Sequence, residues 1–432
     1  MKYSLGIISI KKVGVGMREI KEMSLDRDLN DYVELAYNSY PSFKDNSFEG
    51  KEKFKELIRI RFNDPTSKYF GMFDDDVLIG AMRIITFEMN LFNVIVKAGG
   101  VASVAVDLMF KKQKVARELI LFYEQYFNNL GIPIVSLLPF NPKFYKKMGY
   151  GLGTKLNQYK IKATDFPIDS NEADIRFITC KSQVDELLAF HDKVVKQTHG
   201  MFNRMVDEIY DIENNSDIKI VANYNEEDKI DGYFIYEFEN GKDGNYTINN
   251  MFIKEFNYTN ITAFEKLLGF IKKQDDQVNL VIINTLDDNF AYVFDNCLND
   301  TNNYTDYGFL ETNTQYIGPM YKILDVKHCF KLYNYRNYNN VNVNFKIIVV
   351  DESNNFTECI INLESGNIIV DASDYNVTIK MNIAYFSALF IGSTSVLGLY
   401  RLGLLEIDNL AYLNILDLAF YTPFKPRCNS DF

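Results

Sequence analysis

Residues 99–150 read GGVASVAVDLMFKKQKVARELILFYEQYFNNLGIPIVSLLPFNPKFYKKMGY, and this stretch predicts the fold of the first part of the chain. A strand ends at Val106, and we expect the Gly99–Gly100 pair to interrupt it. Residues 112–129 carry apolar side chains at helical spacing, and residues 132–138 form a short apolar strand. Strand, helix and strand in this order predict one crossover within a mixed α/β sheet.

The residues before this stretch predict two helices followed by a hairpin. Residues 26–40 place their apolar side chains near one face, and residues 51–62 have a similar pattern. Residues 68–92 alternate like strands, and the Asp74–Asp76 run within them is typical of a hairpin turn. With the crossover, these elements predict a first domain at residues 17–165, for which Met17 is a plausible start.

A polar, turn-rich stretch at residues 162–172 predicts the next domain boundary. We expect a second α/β domain at residues 166–318, with helices at 182–197 and 262–274. Residues 319–432 contain several short strands and then apolar helices, which is typical of a compact α+β domain. The sequence therefore predicts an α/β (α+β) protein of three domains.

The composition restricts the class of partner. The chain has 432 residues and a formal net charge of −12, which disfavours binding to duplex nucleic acid. An acidic protein attracts cationic substrates, although the same charge also serves solubility alone. Its five cysteines form no CxxC pair, so we expect neither a disulfide framework nor a metal site.

The sequence contains no segment that we expect to insert into a membrane. The N-terminal apolar run is shorter than the roughly 7–15 residues of a signal-peptide core. No uncharged stretch approaches the ~20 residues that span a bilayer. We therefore expect a cytoplasmic protein without a membrane partner.

The start of the helix after Val106 is rich in basic side chains. Lys111, Lys112, Lys114 and Arg117 lie where unpaired amide groups and the helix dipole favour an anion, and a pyrophosphate would fit. The alternative interpretation is an ordinary solvated helix face.

Two segments resemble a known family of enzymes. VAVDLMFKKQKVARELI resembles the coenzyme A-binding segment of GNAT acetyltransferases, in which a V-x-V strand precedes a Q/R-x-x-G-x-G/A loop. FYKKMGYG resembles the segment that holds the catalytic tyrosine in the enhanced intracellular survival (Eis) branch of that superfamily. The resemblance extends over residues 17–432. It implies tandem GNAT-like mixed sheets, a final domain similar to sterol carrier protein 2, and a homo-oligomer, namely a hexamer.

The resemblance also implies a binding site for acetyl-CoA as co-substrate. Backbone groups of two strand residues would pair with the pantetheine arm, basic side chains would contact the phosphates, and the helix start would lie beneath the pyrophosphate. Val104 and Val106 match the strand residues that pair with the pantetheine arm. Lys111 and Lys112 match the basic phosphate contacts, and Val115 and Ala116 match the helix start beneath the pyrophosphate. Lys114 departs from the family, which has glycine there. A lysine at this position either supplies a charge or obstructs the phosphates.

The catalytic residues implied by the resemblance are Tyr145 and Phe432. Tyr145 matches the general acid that protonates the leaving thiolate, and the α-carboxylate of Phe432 matches the general base. Asp431 places a second carboxylate beside the terminus, where it would attract a cationic substrate. The alternatives are a tyrosine that only packs a turn and a solvated chain end.

The expected function is acetyl transfer from acetyl-CoA to a primary amine by direct attack on the thioester. The resemblance implies an aminoglycoside-like, polyamine or lysine-type substrate. The alternative is a non-catalytic ligand-binding protein that keeps the same scaffold, which the Lys114 departure favours.

Overall fold

The computed structural model describes residues 8–9, 18–40, 45–167, 174–241, 245, 247–300, 303–428, 430 and 432. These residues form three β-sheets with helices packed against them, as the α/β interpretation predicted. Among them, no helix is long and apolar enough to cross a membrane. No group of three or more His, Cys, Asp or Glu side chains in the same residues has an arrangement that would hold a metal ion.

The first unit combines an eight-stranded sheet with four helices. Its order is β1-β2-β3-β4-β5-β6-β15-β7. The strands are β1 Ile8–Ser9, β2 Arg18–Glu22, β3 Ser67–Asp74, β4 Val77–Leu91, β5 Val94–Val106, β6 Ile134–Leu137, β7 Gly151–Leu152 and β15 Met320–Ile323. The helices are α1 Leu25–Ser39, α2 Phe48–Asn63, α3 Val115–Asn129 and α4 Pro142–Lys146.

The second unit is built on a seven-stranded sheet of order β14-β8-β13-β12-β11-β10-β9. Its strands are β8 Leu156–Ile161, β9 Ile175–Phe177, β10 Lys219–Tyr224, β11 Ile230–Asn240, β12 Asn249–Tyr258, β13 Val278–Thr285 and β14 Thr314–Tyr316. The helices are α5 Lys181–Gln197, α6 Val206–Asn214 and α7 Ile261–Lys272.

The third unit has a five-stranded sheet of order β18-β17-β16-β19-β20. Its strands are β16 Val343–Val350, β17 Phe356–Glu364, β18 Asn367–Val370, β19 Val377–Asn382 and β20 Leu405–Ile407. The helices are α8 Val326–Leu332, α9 Ile383–Phe390, α10 Val396–Arg401 and α11 Leu413–Phe420. Its apolar side chains join those of β4 in a single cluster, so this unit packs directly on the first sheet.

The first two sheets exchange strands along the chain. β8 follows the first unit in sequence but pairs with β13 and β14 of the second sheet. β15 follows the second unit but lies between β6 and β7 of the first sheet, antiparallel to both. The first two units are thus held together by main-chain hydrogen bonds. The domain boundaries at 165/166 and 318/319 stay predictions.

The expected break at Gly99–Gly100 is wrong, because β5 runs through both glycines without interruption. These positions lack a side chain for reasons of packing. A Cβ on Gly100 would lie 2.1 Å from Cε2 of Phe87, and one on Gly99 would lie 2.5 Å from Cδ2 of Phe127. The glycines therefore make room for two buried aromatic rings in the middle of a strand.

Helix α3 begins at Val115, later than the expected residue 112. Lys112 and Lys114 have φ angles of +64° and +69°, which are incompatible with a right-handed helix. A short 3₁₀ turn at Leu108–Phe110 precedes them. The basic residues therefore form a loop in front of the helix.

Candidate active site

Strands β5 and β6 separate partway along their length. They pair in parallel only at Gly99 with Val135 and Gly100 with Ser136. Beyond that point β5 continues to Val106 along β4 alone. In the described part of the chain, no strand pairs with residues 101–106 on the side facing away from β4. This divergence leaves a backbone edge at which an extended ligand can pair.

The carbonyl groups of Val104 and Val106 accept hydrogen bonds from donors outside the sheet. The Tyr40 hydroxyl donates to the Val104 oxygen at 2.9 Å, and the Ser39 hydroxyl donates to the Val106 oxygen at 3.0 Å. Both donors lie at the end of α1. A pantetheine amide is a donor of the same kind, so it would compete with these hydroxyls for the carbonyls.

The loop after β5 is fixed by hydrogen bonds at both ends. The Asp107 carboxylate accepts from the Met109 amide at 2.8 Å. Arg18 donates to the Gln113 side chain at 2.7 Å and to the Gln113 carbonyl at 3.3 Å. The loop is therefore held by the neighbouring β2 strand, and Lys111, Lys112 and Lys114 stay exposed around it.

The start of α3 lies close against β4. Val115 is buried, and a Cβ on Gly80 would lie 2.5 Å from its Cγ1 atom, so only glycine permits this approach. The first amide groups of a helix have no acceptor within it and carry the positive end of its dipole. With Ala116 half-buried in that first turn, the geometry fits a phosphate-bearing ligand.

Tyr145 lies on α4, in the same hydrophobic cluster as Val104, Val106 and Val115. Its side chain is buried, and its ring meets the ring of Tyr150 edge-on at 5.9 Å. Burial raises the pKa of Tyr145 to about 12. The hydroxyl therefore keeps its proton throughout the neutral pH range, as a general acid requires.

The C-terminal tail is docked on the second unit. Arg427 pairs with Asp287 at 2.5 Å, and Lys425 pairs with Asp288 at 2.5 Å. The Thr154 hydroxyl donates to the Pro426 carbonyl at 2.5 Å. Most chain ends are loosely held, and this one is fixed at several points.

The last residue reaches the centre of the first sheet. The Phe432 ring lies 4.7 Å from the ring of Phe87 and 6.0 Å from that of Phe202. Phe432 thus packs in the cluster shared by the first and third units, whereas Tyr145 belongs to the cluster around α3. Asp431 lies outside the described residues.

A buried polar network in the second unit was missed by the sequence analysis. Arg204 donates to Glu255 and to the Tyr233 hydroxyl, both at 2.8 Å. Nδ1 of His191 is 2.9 Å from the same hydroxyl. Burial alone would raise the pKa of Glu255, but Arg204 and His191 outweigh it and lower that pKa. No local pattern signals this network, because its members come from four separate segments.

Comparison with known families identifies the first two units. Residues 19–153 and 195–302 each match an acetyltransferase (GNAT) domain family, and together these matches cover more than half of the chain. The chain is a GNAT acetyltransferase. Enzymes of this class use acetyl-CoA as their acyl donor. No curated protein matches this GNAT acetyltransferase in sequence.

Solved structures share the fold over nearly the whole length of this GNAT acetyltransferase. A GCN5-related N-acetyltransferase from Anabaena variabilis has a TM-score of 0.76 at 16% identity, covering 96% of this chain and 100% of that one. Eis1 from Mycobacterium abscessus has a TM-score of 0.72 at 15% identity, with the same coverage. A probable N-acyltransferase from Enterococcus faecalis has a TM-score of 0.73 at 18% identity, covering 96% and 99%.

Proposed function

We propose that this enzyme transfers the acetyl group of acetyl-CoA to a primary amine by direct attack of the amine on the thioester. One observation carries the proposal. The divergent edge of β5, the start of α3 and the Tyr145 side chain meet around one hydrophobic cluster. The proposed substrate is an aminoglycoside-like, polyamine or lysine-type amine, as the Eis resemblance implies.

In this proposal, acetyl-CoA lies along the open edge of β5. Its pantetheine arm pairs with backbone groups of Val104 and Val106, and its pyrophosphate lies at the first turn of α3. Exposed cations near an anionic ligand favour its binding. Lys111, Lys112 and Lys114 are proposed to provide this positive charge. Val115 and Ala116 are proposed to lie beneath the pyrophosphate.

Tyr145 is the proposed general acid. As the C–S bond breaks, the coenzyme A thiolate takes the Tyr145 proton, and the tyrosinate is reprotonated from solvent. A thiol has a reference pKa of ~8.5, below the value of about 12 for Tyr145. Transfer becomes favourable only because the thiolate forms in the same desolvated cluster, where burial raises the pKa of a thiol as well.

The α-carboxylate of Phe432 is the proposed general base, which takes the proton that the amine nitrogen loses. The docked tail supports this role, because it brings the end of the chain to the first sheet. Asp431 is proposed to add a second negative charge that attracts the amine. A reference α-carboxyl pKa of ~3.3–3.7 suits a base only after burial raises it.

Thiol release from acetyl-CoA in the presence of amines tests this function. Replacing Tyr145 by Phe should lower kcat by roughly 10²–10⁴, the usual effect of losing a general acid. Tyr150→Phe is the matched control, since it removes another buried hydroxyl of the same cluster, and it should leave kcat nearly unchanged. Equal kcat values for Tyr145→Phe and the wild type would remove Tyr145 from the mechanism.

The remaining expectations from the resemblance are part of the same proposal. The third unit, with its five-stranded sheet and four helices, is proposed to be similar to sterol carrier protein 2. The assembly is proposed to be a hexamer in the cytoplasm. Sedimentation velocity of the purified full-length chain would measure the assembly directly.

A further inference from the structure

A cavity of about 530 Å³ lies where residues of all three units meet. The first unit contributes Phe92 and Asn93, which connect β4 to β5, and the second unit contributes Gln197, the last residue of α5. The third unit contributes residues from 335–339 and 421–424. Asn93 and Gln197 are exposed, so a ligand can enter from solvent. The volume is within the range of small-molecule sites, and none of these residues has a role in the proposed acetyl transfer.

The wall of this cavity is positively charged. Among the residues that the structure describes, it contains no aspartate and no glutamate. Arg336 provides a cation, whereas His199 is neutral near pH 7 because burial lowers its pKa to about 4. Although the whole chain has a formal net charge of −12, this cavity therefore attracts anions.

Arg336 is a buried cation without an opposite charge beside it. Its exposed fraction is 5%, and burial lowers its pKa to about 10, so it stays protonated near neutral pH. The groups that act on it electrostatically are the Tyr338 hydroxyl and the Cys329 thiol. Burial raises the pKa of both, so both are uncharged. A buried charge is costly without a partner, and the missing partner here is an anion.

The guanidinium of Arg336 is held in place by two helix ends. Nη1 donates to the Phe390 carbonyl at 2.7 Å, and Nη2 donates to the Phe420 carbonyl at 2.8 Å. These residues end α9 and α11, where the helix dipole has its negative end. Partial charges of this kind offset the burial of a full charge only in part. A guanidinium has more N–H donors than these two bonds use, so donors remain for a ligand.

Aromatic rings surround the guanidinium. Cζ of Arg336 lies 4.1 Å from the centre of the Phe92 ring and 5.1 Å from that of the Tyr338 ring. Tyr421 and Phe424 add aromatic surface to the wall, and both are exposed. A flat aromatic ligand can pack against such rings while its charged group meets the guanidinium. The wall therefore fits an aromatic anion better than an inorganic one.

We propose that this cavity binds a small aromatic carboxylate, whose charged group accepts hydrogen bonds from Arg336. The carboxylate supplies the opposite charge that the buried guanidinium lacks, and the ring packs against the aromatic wall. Since the wall is built from all three units, the bound ligand also connects them. The site is separate from the proposed acetyl-transfer site, and its occupation does not depend on the proposed function.

Calorimetric titration of the purified full-length chain with phenylacetate tests the proposal. Phenylacetamide is the matched control ligand, because it has nearly the same shape and no charge. We expect it to bind at least about 10-fold more weakly than phenylacetate, as expected for loss of a charge-assisted hydrogen bond. Phenylacetate should also raise the unfolding temperature, because it binds the folded protein alone.

Arg336→Met should weaken phenylacetate binding by about 10- to 100-fold. The matched control is Arg401→Met, because Arg401 is an exposed arginine of α10 outside the cavity wall. In this control the Kd should stay within about twofold of the wild type.

Asn93→Asp keeps the test valid if Arg336→Met does not fold, because it leaves the contacts of Arg336 with the helix ends intact. The backbone of Asn93 has a φ of +67°, which aspartate also tolerates. The new carboxylate in the wall should repel the ligand and raise the Kd for phenylacetate by about 3- to 10-fold. The Kd for phenylacetamide should stay unchanged.

Three results would overturn the proposal. They are no saturable binding at roughly 10 mM phenylacetate, equal affinity for phenylacetate and phenylacetamide, or an Asn93→Asp protein with the Kd of the wild type. Sedimentation velocity distinguishes a further case. Failure to bind phenylacetate, together with a change of assembly in Asn93→Asp, would show that Arg336 meets an acidic group of a second copy instead.

Discussion

Lys114 lies at the junction between the basic loop and α3, with a φ of +69° and an exposed side chain. A residue with a Cβ adopts this left-handed conformation at a cost of roughly 1–2 kcal/mol. The GNAT pattern has glycine at this point, and glycine adopts a positive φ without the penalty that a Cβ brings. Lys114 carries that penalty and adds a cation beside the proposed phosphate site.

Lys114→Gly should stabilise the protein by roughly 0.5–1 kcal/mol. Glycine removes the free-energy cost of the left-handed conformation, and this gain exceeds the free energy lost because glycine gives the unfolded chain more conformational entropy. Urea unfolding measures this change. Lys111→Gly is the matched control, since Lys111 has a φ of −58° and gains nothing from glycine. Destabilisation by both variants to the same extent would show that position 114 is not strained.

Lys111 and Lys114 could be proposed from the sequence because they lie close together along the chain, in one segment that matches the GNAT pattern. Arg83 and Asp207 were not found, because their ion pair joins positions 124 residues apart. Glu255 was missed for the same reason, since its partner Arg204 lies 51 residues before it in the chain. Side chains whose role depends on tertiary packing leave no periodic pattern in the sequence.

The strand–helix–strand element behaves largely as its sequence predicts. Apolar spacing correctly indicated α3 and the short strand β6, because each buries one continuous face. Gly99 and Gly100 were misinterpreted as a break, since glycine marks both turns and close packing. In β5 the two glycines leave space for buried aromatic rings, and the ring beside Gly100 is that of Phe87. The Phe87 ring also contacts the ring of Phe432.

Gly100→Ala should destabilise the protein by about 1–3 kcal/mol, because the added methyl group would overlap the buried Phe87 ring. It should also reduce turnover, since Phe87 supports the Phe432 ring. The unfolding free energy and thiol release measure the two effects. Gly398→Ala, in helix α10, is the control and should change neither by much. A fully stable Gly100→Ala protein would contradict the packing explanation.

The C-terminal tail gives a second test. The proposed base is the α-carboxylate of Phe432, so appending a few residues after Phe432 would convert it into an amide and displace the charge. We expect loss of thiol release with little change in acetyl-CoA binding. The same extension at the N-terminus is the control. Full activity of the C-terminally extended protein would exclude the terminal carboxylate as the base.

The whole molecule is joined by contacts that no single segment predicts. Strands β8 and β15 cross between the first two sheets, and this exchange has no local signature in the sequence. His199 links all three units, because it accepts from the Phe92 amide at 3.2 Å and lies 2.9 Å from the Ile391 carbonyl. Fold class was thus predictable from local patterns, whereas the connections between units were not.

Protonation of His199 should weaken these connections in acid. Burial lowers its pKa from 6.5 to about 4. Between these values the unfolded chain binds the proton and the folded protein does not, so stability should fall by roughly 3 kcal/mol as pH drops from 6.5 to 4. Urea midpoints measured across this range report the change.

His199→Gln should flatten this pH dependence. Replacement of the half-buried His328 by Gln should leave it as in the wild type. Identical pH profiles for the wild type and His199→Gln would show that His199 does not account for the acid sensitivity.

Thermal unfolding with added acetyl-CoA shows whether the protein binds acetyl-CoA, as proposed for the open edge of β5 and the start of α3. A ligand at 100 times its Kd stabilises a protein by about 2.7 kcal/mol, so the unfolding temperature should rise and then continue to increase with ligand concentration. An unfolding temperature that does not change at millimolar acetyl-CoA would contradict the proposed binding.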